Sequence, residues 1–328
     1  MPKITIDEIA AELGVSRQTI SRAWNNKTDI SEATRARVLE ASERLGYKPS
    51  RFASNLARNS RSTAIGFVVE SFRNPFYGEL IADFLDLATT RNWQVAVSSH
   101  EGTPDLELVG RLANDVDVIV GYLSDPTEDI ARAAKGTPVI LMDRASDTRG
   151  VHSLRLDFDH GMESLVIQLR GRGSRKFGMI ESQNLGRVYT PSTRRRAFEK
   201  HVGSESARAV VVQEAGPNSM AAGAQGLDAL LRAFPETDTV IAFSDLMAMG
   251  ALARAGEQGI RVPDDVRIVG IDGLSLGEIT NPPLSSLGLV GPQTSERIAE
   301  IVELSVADSA AAIERRTIVP VPVWRASA

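Results

Sequence analysis

The chain has 328 residues and no cysteine, its composition is 42% hydrophobic and 24% charged, and its formal net charge is −5. This length predicts two or three domains, and the lack of cysteine excludes a disulfide scaffold, a thiolate metal site and a cysteine nucleophile. No apolar run approaches the ~18 residues that a membrane span needs, and the acidic Asp7, Glu8 and Glu12 are unlike a secretory signal, so we expect a soluble cytoplasmic protein with no membrane partner.

The charge is unevenly distributed along the chain. Residues 1–61 hold 11 Lys and Arg against 7 Asp and Glu, a net charge of +4, whereas the remaining 267 residues hold 26 against 35, a net charge of −9. A small basic segment on an acidic body favours contact between that segment and a polyanion such as nucleic acid. An excess of four charges is modest, so the motifs within the segment decide the interpretation.

The first 48 residues predict three short helices. Thr5 and Glu8 have the spacing of a capping box at the start of the first helix, and Gly14 ends it. Ser16 and Ser31 are placed to cap the second and third helices. The apolar side chains that recur at helical intervals, and that we expect to turn inward, are Ile6, Ile9, Ala10, Leu13, Ile20, Ala23, Trp24, Val38, Leu39 and Leu45.

The first two helices have the pattern of a helix-turn-helix. Their close crossing needs a small residue in the first helix, a glycine at the turn and apolar residues that pin the second helix, and Ala10, Gly14, Val15, Ile20 and Ala23 have that spacing. Arg side chains read guanine and Gln or Asn side chains read adenine in the major groove. The outer face of the second helix carries Ser16, Arg17, Gln18, Ser21, Arg22 and Asn25. The alternative is a three-helix bundle whose exposed face is merely polar.

Residues 50–60 contain few large apolar side chains and follow Pro49. A helix of about ten residues is marginal alone in water, so it folds only when a partner offsets its ordering entropy, and its folding can act as a switch. The alternative is a plain linker.

From residue 64 onwards, short apolar runs alternate with amphipathic helical stretches. This alternation predicts a parallel, doubly wound sheet with helices on both faces, and about 265 residues are many for one open sheet, so we expect two lobes. The predicted strands are Ile65–Val69, Val95–Val97, Val116–Val120, Val139–Met142, Phe177–Ile180, Val210–Val212, Val240–Phe243 and Ile268–Ile271. The predicted helices include Phe76–Arg91, Gly161–Gly171, Ser219–Phe234 and Leu246–Gly259.

Carboxylates, hydroxyls, arginines and aromatic rings follow these apolar runs. Ligands of open α/β sheets bind beyond the carboxyl ends of the strands, and such groups suit a hydroxyl-rich ligand such as a sugar. The alternative is that strand ends are polar because loops are polar. The residues concerned are Glu70, Ser71, Phe72, Ser98, Ser99, Tyr122, Ser124, Asp143, Arg144, Glu181, Ser182, Ser244, Asp245 and Asp272.

Three motifs in the head resemble the LacI/GalR family of bacterial repressors. They are GVS-x-x-T-[IV]-SR at Gly14–Arg22, ISEATRARV at Ile30–Val38 and LGY-x-P at Leu45–Pro49. The resemblance implies that Arg17, Gln18 and Arg22 meet base edges in the major groove. It also implies phosphate or base contacts from a second set, in which we include the first-helix residue Thr5: Thr5, Ser16, Ser21 and Asn25. Trp24 stands where the family usually has a smaller aliphatic residue, and we expect it to pack against the third helix.

Residues 50–59, SRFASNLARN, resemble the hinge helix of the same family. The resemblance implies that Leu56 is driven as a wedge into the minor groove, with Ala53 beside it and Arg51 and Arg58 near phosphates. A wedge unstacks a base step at a cost of a few kcal/mol, which further contacts must offset.

Residues 65–325 resemble the periplasmic-binding-protein-like core of the family, which implies an effector site. The matching segments include NPFY at Asn74–Tyr77, PVILMDR at Pro138–Arg144, R-x-x-A-F at Arg194–Phe198 and SDLMAMGAL at Ser244–Leu252. By this resemblance Arg194 and Asp272 clamp hydroxyls of the effector. The other expected contacts are Glu70, Phe72, Phe76, Asp143 and Ser244. Ser244 replaces the usual Asn, and the customary Gln is missing from Leu289–Gly291, so the identity of the effector stays open.

The resemblance also divides the chain. It implies a DNA-binding domain at 1–48, a hinge at 49–61 and a core at 62–328, with crossovers near Asp159, Gly291 and Pro320. One lobe is then about 62–158 with 292–319, and the other about 159–291 with 320–328. The chain stops soon after Trp324, without the leucine heptads of the tetrameric members, so we expect a homodimer on a near-palindromic operator.

These features favour a ligand-controlled repressor whose partners are double-stranded DNA and a sugar-like effector, with no cofactor. An α/β enzyme acting on sugars or nucleotides is the alternative. Against it, the sequence lacks the phosphate-loop, dinucleotide-binding and nucleophile-elbow motifs, and its histidines are scattered at His100, His152, His160 and His201. A sugar-binding transport component is a third reading, disfavoured by the helical head.

Overall fold

The computed structural model describes residues 6–24, 30–45, 62–184, 189–203, 206–214, 219–289, 291–307 and 312–328. These residues form a three-helix head and two separate α/β sheets, each of six strands. The predicted fold class, an all-α head followed by a two-lobed, doubly wound core, is confirmed. None of the helices within these ranges is long and apolar enough to cross a membrane.

The head contains α1 (Ile6–Leu13), α2 (Arg17–Trp24) and α3 (Glu32–Leu45). Gly14 turns the chain between α1 and α2 with φ +64°. The hydroxyl of Ser16 accepts a hydrogen bond from the Thr19 amide at 3.1 Å, and that of Ser31 accepts one from the Thr34 amide at 3.2 Å. Both predicted caps therefore form, because each serine satisfies an amide that the first helical turn leaves unpaired.

A small apolar core holds the three helices together. Its buried members are Ile9, Ala10, Ile20, Ala23 and Val38. The prediction that Leu39 turns inward is wrong, since that side chain is 40% exposed. The inner face of α3 passes through Val38, Ala41 and Ser42, which are spaced by three and four residues, and Leu39 lies about a quarter turn away from it.

The first sheet is entirely parallel and has the order β11-β5-β4-β3-β1-β2. Its strands, numbered in chain order, are β1 (Ala64–Val69), β2 (Gln94–Ser99), β3 (Val118–Gly121), β4 (Val139–Met142), β5 (Val151–Leu156) and β11 (Arg315–Ile318). The helices of this lobe are α4 (Pro75–Thr90), α5 (Asp105–Leu112), α6 (Thr127–Ala133) and α11 (Pro292–Ala307).

The second sheet has the order β12-β10-β9-β8-β6-β7, and β12 is antiparallel to β10. Its strands are β6 (Phe177–Asn184), β7 (Arg208–Glu214), β8 (Thr239–Ala242), β9 (Arg267–Asp272), β10 (Ser285–Gly288) and β12 (Val321–Val323). The helices of this lobe are α7 (Phe158–Gly171), α8 (Thr193–Val202), α9 (Met220–Ala233) and α10 (Asp245–Glu257), with a 3-10 turn at Ser275–Glu278.

The chain passes between the two sheets after β5, after β10 and between β11 and β12. Two of these passages run side by side, because the Asp157 amide donates to the Ile318 carbonyl at 2.8 Å. Gly161 fits there without a side chain, since a Cβ would lie 2.9 Å from the Pro320 carbonyl oxygen. The crossings join the lobes close to the ends of their strands.

Two glycines let α9 and α10 approach at backbone distance. A Cβ on Gly223 would lie 1.8 Å from the Met247 carbonyl oxygen, and a Cβ on Gly250 would lie 1.9 Å from the Met220 carbonyl oxygen. A methyl group at either position would therefore force the two helices apart.

We expect Gly250→Ala to lower the free energy of unfolding by about 1–3 kcal/mol or more, as overpacking does. Gly256→Ala, in the same helix but with no neighbour within 4 Å of the added Cβ, should instead raise it by about 0.5–1 kcal/mol through helix propensity. Urea unfolding followed by circular dichroism measures both. Equal effects of the two variants would contradict the close approach.

Candidate ligand-binding site

Charged and aromatic side chains from both sheets converge on one cleft. Glu70, Tyr122 and Asp143 follow β1, β3 and β4 of the first sheet, whereas Asp272 ends β9 of the second sheet. Burial raises the pKa of Tyr122 well above its ordinary value, the carboxylates of Asp143, Glu70 and Asp272 raise it further, and the Arg194 guanidinium lowers it. These groups therefore lie near enough to act on one side chain.

Arg194, in the first turn of α8, is held flat between two aromatic rings. Its guanidinium carbon lies 4.7 Å from the Phe158 ring centroid and 4.4 Å from that of Phe243. Nη2 is 4.0 Å from Asp272 Oδ1, and Nε is buried without a hydrogen-bond partner. Ring faces attract a cation but accept little directed hydrogen bonding, so this arginine keeps a buried donor to offer.

Asp272 is the matching acceptor. It is 2% exposed, its φ is +142°, and its Oδ2 is buried without a hydrogen-bond partner. Burial raises the pKa of Asp272 well above its ordinary value, Asp245 raises it further, and Arg194 acts in the opposite direction. A strained backbone and an unsatisfied buried oxygen are costly, and such costs persist mainly at functional positions.

Asp245, at the start of α10, fixes the turn that carries Asp272. Its carboxylate accepts hydrogen bonds from the Gly273 amide at 2.9 Å, the Leu274 amide at 2.7 Å and the Ser286 hydroxyl at 2.5 Å. A Cβ on Gly270 would lie 1.9 Å from Asp245 Oδ1, so only glycine leaves room for this carboxylate. Asp245 therefore positions the site and has its own oxygens occupied.

The opposite wall of the cleft is aromatic and acidic. Glu70 Oε2 accepts a hydrogen bond from the Tyr77 hydroxyl at 2.8 Å. The ring centroids of Tyr77 and Tyr122 lie 5.2 Å apart, and those of Phe76 and Tyr77 lie 5.1 Å apart, all edge to face. Asp143 has φ +57°, and burial raises its pKa while Arg194 lowers it.

The structure brings four of the seven predicted effector residues together: Glu70, Asp143, Arg194 and Asp272. The other three have different surroundings. Ser244 is 1% exposed and its hydroxyl caps α10 by accepting from the Met247 amide at 3.2 Å. Phe76 packs behind the tyrosines, and Phe72 is 56% exposed on the loop after β1. Ligand contact by all seven stays a prediction.

Three aromatic residues of the cleft are absent from the seven predicted effector contacts. Tyr122 is among the residues expected at the strand ends but not among those contacts. Phe243 ends the predicted strand Val240–Phe243, which is the signal that could have selected it, whereas Phe158 follows β5, a strand that sequence did not predict. Glu181, within β6 and also among the residues expected at the strand ends, accepts hydrogen bonds from the Tyr189 hydroxyl at 2.5 Å and the Ser192 amide at 3.0 Å. Because Ser192 caps α8, Glu181 helps to place Arg194.

One contact joins the lobes at the rim of the cleft. Glu79, on α4, accepts hydrogen bonds from the Ser275 amide at 3.1 Å and 3.0 Å and from the Ser275 hydroxyl at 2.8 Å. Ser275 begins the 3-10 turn after β9, so this contact, here called the rim clasp, links the first lobe to the segment that follows Asp272.

The predicted nucleic-acid face is partly described. Ser16, Arg17, Gln18 and Arg22 are exposed at the start and along the outer side of α2. Ser21 lies on the same helix, but its side chain is outside the described set. The predicted DNA contacts Thr5, Asn25, Arg51, Ala53 and Leu56 also lie outside the described residues. DNA contact by this face stays a prediction.

Comparison with known proteins gives these features a family context. Residues 5–50 match the family described as bacterial regulatory proteins, lacI family, and residues 166–328 match the family described as periplasmic binding protein-like domain. The chain is 27% identical to catabolite control protein A of Priestia megaterium over 293 residues, which are 87% of each protein.

Solved structures give the same picture. A LacI family transcriptional regulator from Arthrobacter sp. FB24, solved in complex with lactose, is 28% identical with a TM-score of 0.72 over 81% of this chain and 99% of that chain. The Lac repressor dimer bound to operator and the anti-inducer ONPF has a similar fold, with a TM-score of 0.70 and 23% identity over 99% of each chain.

The buried charge of Asp272 predicts a pH-dependent stability difference. The folded pKa lies above the unfolded value of about 3.9, so the ionised carboxylate destabilises the ligand-free fold at pH 7, and protonation relieves this as the pH falls. We expect Asp272→Asn to raise Tm at pH 7, by about 2–4 °C for each kcal/mol relieved. The gain over the parent protein should shrink as the pH falls from 7 toward the unfolded pKa of Asp272, because protonation removes the buried charge.

Differential scanning calorimetry of the ligand-free protein measures this difference. Asp264→Asn, at an exposed loop position, is the matched control and should leave Tm unchanged at both pH values. A lower Tm for Asp272→Asn than for the parent protein at pH 7 would show that the carboxylate stabilises the fold instead.

Proposed function

We propose that the chain is a DNA-binding transcriptional regulator of the LacI family rather than an enzyme, and that it acts as a cytoplasmic repressor. It binds a near-palindromic operator as a homodimer and responds to a hydroxyl-rich, sugar-like effector. The observation that carries the effector proposal is the pair of buried, unpartnered atoms in one cleft, Arg194 Nε and Asp272 Oδ2.

A hydroxyl-rich ligand fits these two atoms. Arg194 can only donate hydrogen bonds and an ionised Asp272 can only accept them, whereas a sugar hydroxyl does both. The 4.0 Å gap between Nη2 and Oδ1 is too long for a hydrogen bond, so neighbouring hydroxyls can engage both groups at once. The lactose found in the Arthrobacter relative supports the same ligand class.

The cleft lies between two lobes, which gives the ligand a way to act at a distance. A ligand that contacts Arg194 and Asp272 on one lobe and Glu70 and Asp143 on the other binds best at one lobe arrangement, and so shifts the population toward it. We propose that the crossings carry this shift to the hinge at residues 49–61. There, Leu56 acts as the minor-groove wedge, and the domain at residues 1–48 reads the operator.

The head supplies the matching DNA surface. Arg17, Gln18 and Arg22 are exposed on α2 and carry groups that read guanine and adenine edges. The +4 charge of residues 1–61 favours a polyanion and predicts binding that weakens steeply with salt. The −9 charge of the rest of the chain disfavours contact of DNA with the lobes.

We expect Arg22→Ala to weaken binding to a selected operator by about 1–3 kcal/mol, which is roughly 5- to 150-fold, because one base-reading side chain is lost. The operator is first selected from random duplexes with the full-length chain, and affinities are then measured by gel shift at fixed salt. Arg132→Ala, which removes an exposed cation from α6 in the core, should leave operator binding unchanged. Full retention of operator discrimination in Arg22→Ala would remove it from the base-reading face.

We expect Arg194→Ala to abolish the effector response and to spare operator binding. A sugar library is screened for compounds that raise Tm, because ligand binding to the folded state stabilises it by mass action. The rise should disappear in Arg194→Ala and persist in Arg297→Ala, an exposed cation of α11. A hit that still stabilises Arg194→Ala and still alters its operator binding would place the effector site elsewhere.

A further inference from the structure

The cleft holds more negative than positive charge. Three carboxylates face it, Glu70 and Asp143 from one lobe and Asp272 from the other, and the Arg194 guanidinium lies among them. Arg155, on the exposed side of β5, also acts on Asp143, but more weakly than Arg194 does. Among the described residues of the rim, Arg73 is already 3.7 Å from Glu101. Within the part of the cleft that the structure describes, the carboxylates therefore outnumber the guanidinium groups that act on them.

The titration of neighbouring groups reflects this field. Burial and then the Glu70 carboxylate raise the pKa of Tyr77, and burial together with Glu70 raises the pKa of Asp143, with Arg194 opposing. The pKa of Asp272 is raised by burial and by the Asp245 carboxylate, and the Arg194 guanidinium again lowers it. A single guanidinium thus offsets the charge of several carboxylates. A further negative charge would be repelled, and the repulsion is strong because the dielectric constant of a buried site is low.

Arg194 is also poorly placed to hold a phosphate. Its two faces are covered by Phe158 and Phe243 at 4.7 Å and 4.4 Å, and its edge lies beside Asp272. A phosphate ester carries about −1.5 to −2 charges at pH 7, so a phosphate at this edge would lie beside the Asp272 carboxylate and be repelled by it.

Glu70 places an exposed negative charge on the wall of the cleft that the first lobe forms. It is exposed to the cleft, the Tyr77 hydroxyl holds its Oε2, and among the described residues its Oε1 has no hydrogen-bond partner. The nearby Tyr122 ring is half-buried, and an aromatic ring suits the C–H face of a sugar or a protonated amine.

We infer that the effector is an unphosphorylated sugar, neutral or amino-substituted, and that Glu70 excludes the phosphate ester of the same sugar. This inference rests on the proposed function, since it narrows the ligand class of the same cleft. Glu70 acts as a specificity-determining residue: it leaves the hydroxyl contacts to Arg194 and Asp272 and adds a charge that a phosphorylated ligand must face.

The test uses the full-length protein and matched trios of compounds, such as glucose, glucosamine and glucose 6-phosphate, with the corresponding galactose and mannose sets, lactose and cellobiose. Thermal shift identifies binders and titration calorimetry gives their affinities. We expect the phosphate ester to bind at least tenfold more weakly than its parent sugar. Glu70→Gln should narrow that difference about tenfold, whereas Glu107→Gln, exposed on α5, should not change it.

Each outcome decides a separate question. A phosphate ester that binds as tightly as its parent sugar, and loses binding in Arg194→Ala, overturns the inference while the effector site stands. Unchanged discrimination in Glu70→Gln removes the role of Glu70. If no compound raises Tm but the chain still selects an operator, the inference fails, and if it also selects no operator, the proposed function fails with it.

Discussion

The central constraint in this protein is a guanidinium and a carboxylate that are buried close together without completing a hydrogen bond. Arg194 and Asp272 are 4.0 Å apart, and each keeps one buried polar atom without a partner. Buried charge is costly unless it is paired and hydrogen-bonded, so the fold must hold both groups in place against their tendency to collapse together. Phe158 and Phe243 do this for the arginine by covering its faces.

The carboxylate is held by a different device. Asp245 ties down the two amides after Asp272 and the Ser286 hydroxyl of the neighbouring strand, and Gly270 leaves the space that its carboxylate needs. These contacts fix the backbone around Asp272 at φ +142°. The Asp272 side chain is therefore held facing the cleft, where its Oδ2 has no hydrogen-bond partner. Stability is given up at the site and recovered in the packed sheets beneath it, as is common where function needs unsatisfied groups.

Sequence predicts the parts of this arrangement that depend on periodicity and on position after a strand. The three-helix head, the alternating lobes and the cluster of Glu70, Asp143, Arg194 and Asp272 were predictable in this way, the last with help from family resemblance.

Strand β5 was not predicted, because its sequence VHSLRL interrupts the apolar run with His152 and Arg155, and Phe158 was missed with it. The edge strand β11 alternates exposed and half-buried residues. The strands β10 (SSLG) and β12 (VPV) lack the continuous apolar run that predicts β3, β4 and β8. The prediction for Leu39 is wrong because α1 and α2 pack against the face of α3 that carries Val38 and Ala41, and Leu39 lies outside that face.

The strength of the contact between the lobes can be compared with the coupling that the proposed effector control requires. The rim clasp between Glu79 and Ser275 consists of hydrogen bonds to a carboxylate, and such bonds contribute about 1.5–3 kcal/mol each, less where solvent competes at a half-buried rim. A coupling free energy between two sites in an allosteric protein is typically about 1–3 kcal/mol. The rim clasp and the coupling free energy that the proposed effector control would need are therefore of the same order. A rim contact of this size leaves the lobe arrangement sensitive to the hydrogen bonds that Arg194 and Asp272 still have to make.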